Sequence, residues 1–204
     1  MTQLTLIDVT QLPDQWTADD WETPDHIVRL LASRVHDGSD PCLPADRVII
    51  DAGAGSGRIT QFLPPGTHAI EGKASRVEAG RLRAPDAVWH HADFLTWAGV
   101  EDGTADLVIG NPPFSVAPEF INRGLELVKP GRGRVVFLLP CDTLHKPEAT
   151  LSRIRHDFYH STLSIPGRVG YLKAGKPVKT NRQVYDSIFT FRRWSGPNPD
   201  IAVL

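Results

Sequence analysis

The chain has 204 residues, 41% hydrophobic and 23% charged, the size and composition of one globular domain with a substantial core. Its net charge of −2 excludes a uniformly basic nucleic-acid binder. No window approaches the roughly 20 apolar residues needed to cross a bilayer, and Cys42 and Cys141 are too far apart for a disulfide framework or a metal-type spacing. The first residues lack the basic and apolar pattern of a signal peptide, so a cytoplasmic compartment and no membrane partner are expected. Charge is distributed unevenly. Residues 1–110 carry 8 Lys/Arg and 17 Asp/Glu, whereas residues 111–204 carry 14 and 7. That asymmetry permits a positive substrate face on the second half.

In chain order, Thr23-Pro24 reads as a helix start, with Thr as N-cap and Pro at the first helical position. Ile27, Leu30, Leu31 and Val35 then share one face, and Gly38 stops the run. A Gly/Pro/Asp-rich loop leads to a buried strand over 47–51. Glycines at 53, 55 and 57 follow, then a short helix that must end by Pro64-Pro65. Strands are expected at 67–72, 87–91, 105–110, 134–140, 162–165 and 186–191. Helices are expected at 73–83, 118–128 and about 147–158. This alternation implies an α/β fold, Rossmann-like, with a mostly parallel seven-stranded sheet and helices on both faces. It forms a single domain over 1–204, with 1–20 as an N-terminal extension.

Two constellations carry chemistry. Asp51-Ala-Gly53-Ala-Gly55-Ser-Gly57 lies between a strand and a helix, where glycine lets the backbone turn sharply and approach a ligand. Arg58 stands where a dinucleotide fingerprint would need its third glycine, and no Lys-Ser/Thr follows, which excludes a P-loop. Glu71, at the next strand end, can accept both hydroxyls of a ribose. Asp93-Phe94, after the third strand, suits an adenine amino group and its ring. The second constellation is Asn111-Pro112-Pro113-Phe114, at the end of the fourth strand. The Asn111 side-chain carbonyl and the Pro112 carbonyl can hold both hydrogens of an exocyclic amine, the prolines stiffen the loop, and Phe114 offers a face for a planar base. Such holding aims the nitrogen lone pair at an electrophile by orientation and electrostatics.

A Gly/Pro-rich segment over 166–183 forms a candidate substrate loop. No acid occurs from Phe158 to Tyr185, while Arg168, Lys173, Lys176, Lys179 and Arg182 are basic and Tyr171 could stack a base. His156 and His160 sit at i, i+4, but the intervening Asp157 replaces the Glu of the zinc-protease motif, so no metal is assigned. His90-His91 ends a strand and receives no role.

With the glycine turn, Glu71, Asp93 and the Asn-Pro-Pro-Phe motif in that order, the chain resembles the S-adenosylmethionine-dependent amino-methyltransferases. It is most similar to the adenine-N6 DNA methyltransferases of the gamma arrangement, whose N-terminal Thr-Pro element is matched by Thr23-Pro24. The resemblance implies S-adenosylmethionine as cofactor, held by Thr23, Pro24, Asp51, Gly53, Gly55, Glu71, Asp93, Phe94 and Asn111. It implies methyl transfer to adenine N6 in DNA, with Asn111, Pro112, Pro113 and Phe114 at the reacting centre. Arg168, Tyr171, Lys173, Lys176 and Lys179 would join Phe114 in binding substrate. The same motif also serves RNA methylation at adenine N6 or guanine N2, and methylation of protein glutamine amides. A cofactor-binding subunit that depends on a partner is the reading of a different class. Gamma enzymes usually carry a large target-recognition domain, and this chain is too short for one. A recognition subunit or a homodimer is therefore an expected partner beside the nucleic acid.

Overall fold

The computed structural model describes residues 21–36, 47–145, 154, 158–173, 176–177 and 185–193. Short buried runs become strands β1 (Ile49–Ala52), β2 (His68–Glu71), β3 (Val88–His91), β4 (Leu107–Gly110) and β5 (Arg134–Pro140). They continue as β6 (Tyr159–Ser164), β7 (Leu172–Lys173), β8 (Lys176–Pro177) and β9 (Asp186–Arg192). Helices α1 (Asp25–Ala32), α2 (Ala74–Arg83) and α3 (Ala117–Leu127) accompany them. Seven strands form one sheet in the order β3-β2-β1-β4-β5-β9-β6. The pairs from β3 through β5 are parallel, while β9 runs antiparallel to both β5 and β6. The separate β7–β8 pair is an antiparallel hairpin.

Alternation along β1, β4 and β5 builds a core on each face of the sheet, because successive side chains point to opposite faces. Ile49, Leu107, Ile109, Val136 and Leu138 join Ile27, Val28 and Leu31 of α1 on one face. Ile50, Val108, Val135, Phe137 and Leu139 meet Phe120, Ile121 and Leu125 of α3 on the other. Burial on both faces explains why the central strands β1, β4 and β5 are almost continuously apolar. At the amino ends of β1 and β4, the buried Asp106 accepts the Val48 amide at 2.9 Å and the Lys129 ammonium at 2.7 Å. Those bonds hold the two strands in register before they reach the site.

Several expectations change in detail. The segment after the glycine turn is only a 3₁₀ turn, Thr60–Phe62, rather than a helix. Pro64 follows too soon for an α-helical ladder to develop, since proline has no N–H to continue it. Helix α1 begins at Asp25 with Pro24, not Thr23, in the N-cap position, and no side chain caps it. Thr23 is engaged elsewhere, as described below. The helix expected over 147–158 lies mostly outside the described residues, as do His156, Lys179, Arg182 and the 1–20 extension. His90 has a structural partner after all: its Nε2 lies 3.0 Å from His68 Nδ1, and the two rings stack. Burial pushes both imidazoles below their ordinary pKa. Among the described residues, no helix is long and apolar enough to cross a membrane.

Gly110 closes β4 directly against β1. A Cβ there would collide with the carbonyl oxygen of Ala52, leaving no flexible group to move aside. We therefore expect Gly110→Ala to lower unfolding free energy by about 1–3 kcal/mol, read as a reduced urea midpoint with an unchanged slope. A midpoint equal to wild type would show that the strands separate readily here.

Candidate active site

The three glycines after β1 take left-handed backbone angles, with φ of 70° at Gly53, 57° at Gly55 and 80° at Gly57. Residues with a Cβ rarely adopt such angles, so the motif is a backbone requirement. The turn is fastened to β2: Ala54 donates its amide to the Ile70 carbonyl at 2.9 Å. Glu71, at the end of β2, accepts the Gly55 amide on Oε2 at 2.8 Å and the Lys73 amide on Oε1 at 2.9 Å. Each oxygen keeps a lone pair in that arrangement, so the carboxylate is rigid and can still accept two hydroxyls. Beyond β3, Asp93 accepts the Leu95 amide at 3.0 Å, and Phe94 packs on Phe120 with centroids 4.9 Å apart.

These groups surround a cleft of about 530 Å³ at the carboxyl ends of the strands. It lies where strand order reverses between β1 and β4, the place at which open α/β sheets bind ligands. Thr23, Gly53, Gly55, Glu71, Asp93, Phe94, Asn111 and Pro113 all line it. All eight were singled out in the sequence, and the fold brings them to one cleft. Pro24, Asp51, Pro112 and Phe114 do not line the cleft.

Asp51 is the clearest of these departures, since direct contact with the cofactor was expected. It is fully buried behind the glycine turn, where Oδ2 accepts the Thr60 hydroxyl at 2.6 Å. Its Oδ1 is buried without a hydrogen-bond partner. Burial raises its pKa to about 7, opposed by the Thr60 hydrogen bond and reinforced by the nearby Glu71 charge. The Asp51 carboxyl thus braces the turn from beneath through Thr60 and is not a wall of the cleft.

Asn111 follows Gly110 at the end of β4. Its Nδ2 donates to Thr23 Oγ1 at 3.0 Å, and its Oδ1 is buried without a hydrogen-bond partner. Thr23, 4% exposed, arrives on the short segment before α1. Sequence reasoning missed the network that holds this segment. Arg58 donates through Nε to the Thr23 carbonyl at 2.7 Å and pairs with Asp25. Ser56, in the glycine turn, donates to Glu22 at 3.2 Å, while Arg83 donates to the Ser56 carbonyl and hydroxyl at 2.9 and 2.8 Å. The signal for it in the sequence is Arg58 itself, a long cation placed directly after the glycine turn.

The basic loop is also rearranged. Tyr171, expected as an exposed stacking surface, is 1% exposed in the core on the α1 face. Its ring lies 6.3 Å from Trp21 and 6.1 Å from Phe114, meeting Phe114 edge to face. It supports those rings from behind, and Trp21 is the aromatic residue of this group that lines the cleft. Glu22 and Leu172 exchange backbone hydrogen bonds of 2.9 Å, which joins the hairpin to the same segment. Arg168 and Lys176 are exposed, Lys173 stands on β7, and Lys179 is outside the described residues.

No protein-family model and no curated protein sequence matches the chain. Solved structures do. A protein of Pyrococcus horikoshii provisionally described as an RNA methyltransferase superposes with a TM-score of 0.66 at 17% identity, covering 91% of each chain. A Listeria monocytogenes protein, provisionally described as a class I S-adenosylmethionine-dependent methyltransferase, gives 0.64 at 15% identity over 92% of this chain and 64% of that one. The methyltransferase subunit of a type I restriction-modification system from Streptococcus thermophilus gives 0.67 at 16% identity, covering 87% of this chain. This chain spans 46% of the length of that subunit. The fold is that of class I methyltransferases.

Asp51 yields a pH prediction with a definite sign. A carboxyl whose folded pKa is raised stabilises the fold below its unfolded pKa of 3.8, and that stability is lost as pH rises through about 7. Asp51→Asn should therefore melt several degrees above wild type at alkaline pH in the absence of ligands, with the gap narrowing as pH falls toward acid. A gap independent of pH, measured by differential scanning calorimetry, would refute the buried-charge assignment.

Proposed function

We propose that this chain transfers a methyl group from S-adenosylmethionine to the exocyclic N6 amine of adenine in DNA. The observation that carries this reading is the buried Asn111 Oδ1, an acceptor without a partner at the edge of the cleft. A buried acceptor left unpaired costs about 1–3 kcal/mol, which a donor from the substrate would offset. The described residues fit the cofactor. Glu71 has lone pairs for both ribose hydroxyls, Asp93 and Phe94 suit the adenine, and the left-handed glycine turn admits close approach of the amino-acid end. S-adenosylmethionine supplies an electrophilic methyl when bound.

The protein's own part is to orient the amine. An aryl amine delocalises its lone pair into the ring and is a weak nucleophile. The Asn111 side chain and the Pro112 carbonyl draw both hydrogens to one side, which favours a tetrahedral nitrogen with its lone pair directed at the methyl. Methylation makes the nitrogen acidic, so its proton passes to water or to the same acceptors without a dedicated base. Phe114, buttressed by Tyr171, gives the base a ring to stack on, and a base in a duplex would first have to leave the stack. Exposed Arg168 and Lys176, with Lys173 and Lys179, would meet phosphates. A partner subunit, a second copy or the chain's own loops would choose the target.

RNA is the second reading, favoured by the 91% mutual coverage with the Pyrococcus protein. Both readings place the same demand on Asn111. Asn111→Ala should reduce methyl transfer to adenine-containing oligonucleotides by about 10²–10³-fold. Calorimetric affinity for S-adenosylmethionine should change by no more than about threefold, less than one kcal/mol. Equal loss of transfer and cofactor affinity would mean that Asn111 serves the cleft's structure and not the amine.

A further inference from the structure

The resemblance assigns Thr23 to the cofactor, yet its hydroxyl is directed elsewhere. It meets Asn111 across 88 residues of sequence, with Nδ2···Oγ1 at 3.0 Å. We infer that Thr23 is a positioning residue for the amine acceptor, holding the plane of the Asn111 amide so that its Oδ1 faces the substrate nitrogen. This inference rests on the reading of Asn111 as amine acceptor and deepens it.

Three observations lead to it. First, a carboxamide has an acceptor end and a donor end of nearly equal shape, so position alone does not tell a substrate amine from its opposite. An Nδ2 presented to an amine would set donor against donor. Engaging Nδ2 with Thr23 leaves Oδ1 as the end available, and Oδ1 is the buried atom without a protein partner.

Second, Thr23 is itself fixed. It is 4% exposed, its carbonyl accepts Arg58 Nε at 2.7 Å, and Arg58 also pairs with Asp25 at the start of α1. A hydroxyl on so constrained a backbone can restrain a neighbour, whereas one on a loose loop would follow it. Third, the hydroxyl does not perform the local task that its sequence position offers. Pro24 occupies the N-cap position of α1, and no side chain caps that helix. The Val28 amide instead reaches the Pro24 carbonyl at 3.0 Å.

The consequence is a division of labour within Thr-Pro. Pro24 opens the helix with its restricted φ, and Thr23 serves the reacting centre. A displacement of about 1 Å at such a centre can reduce rate by roughly 10²-fold. The Arg58 link also runs from the glycine turn to the acceptor, so the segment that borders the cofactor cleft sets the amide's orientation.

The test compares Thr23→Val, isosteric but without a polar hydrogen-bonding group, with Thr23→Ser, which keeps the hydroxyl. With an adenine oligonucleotide and S-adenosylmethionine, Thr23→Val should lower kcat by on the order of 10- to 100-fold while the cofactor KM changes little. Thr23→Ser should recover most of that loss. A readout independent of turnover is the Asn111 side-chain amide in a nitrogen-15 NMR spectrum, assigned by its disappearance in Asn111→Ala. Its two hydrogens should give sharp, slowly exchanging signals in wild type and Thr23→Ser, and broadened, fast-exchanging ones in Thr23→Val. The inference is overturned if Thr23→Val keeps kcat within about twofold, or if its Asn111 amide stays as sharp and protected as in wild type. If the amide loosens but wild type methylates no nucleobase amine, the positioning contact stands and the amine reading is the part that fails.

Discussion

The close approach of β1 and β4 is the constraint on which the rest of the molecule depends. Gly110 has no side chain to hold the strands apart, and the Ala52 carbonyl lies where a Cβ would be. Asp106 keeps the pair aligned at the opposite end through Val48 and Lys129. As adjacent parallel strands, they deliver the glycine turn and Asn111 to one cleft from positions nearly sixty residues apart in sequence. Chemistry that must bring an acceptor beside a bound group needs such a junction, because neither strand alone carries both parts.

A second layer of organisation comes from the short segment before α1. It contacts the glycine turn through Glu22–Ser56 and Thr23–Arg58, the end of β4 through Thr23–Asn111, and the hairpin through Glu22–Leu172. Tyr171 fills the space between Trp21 and Phe114, so aromatic packing connects the same three parts. A perturbation of this segment would reach the cleft, Asn111 and the basic hairpin together.

Much of this was legible in the sequence because local rules governed it. Strand periodicity and continuous apolar runs located β1 through β5, and three glycines at alternate positions announced left-handed backbone. Glu71 and Asp93 could be placed because strand ends in a parallel sheet face one edge. Legibility failed where the deciding partner was distant. Thr23 looked like a helix cap since its local pattern suits one, and nothing nearby shows that Asn111 takes the hydroxyl. Tyr171 looked like a surface ring because its neighbours are Gly, Pro and Lys, yet Trp21 and Phe114 draw it inside. Asp51 has the spacing of a cofactor contact, but its burial depends on Thr60 and on the fold of the turn above it.

Methylation of a nucleobase amine by the cleft and Asn111 acting together is the proposal on which the rest stands. The most direct measurement follows methyl-labelled S-adenosylmethionine into separate DNA, RNA and protein pools, with digestion to nucleosides and amino acids and identification of the labelled product. The expected result is label in N6-methyladenine from DNA. Label confined to an oxygen, a ring carbon or no acceptor in any pool would contradict it.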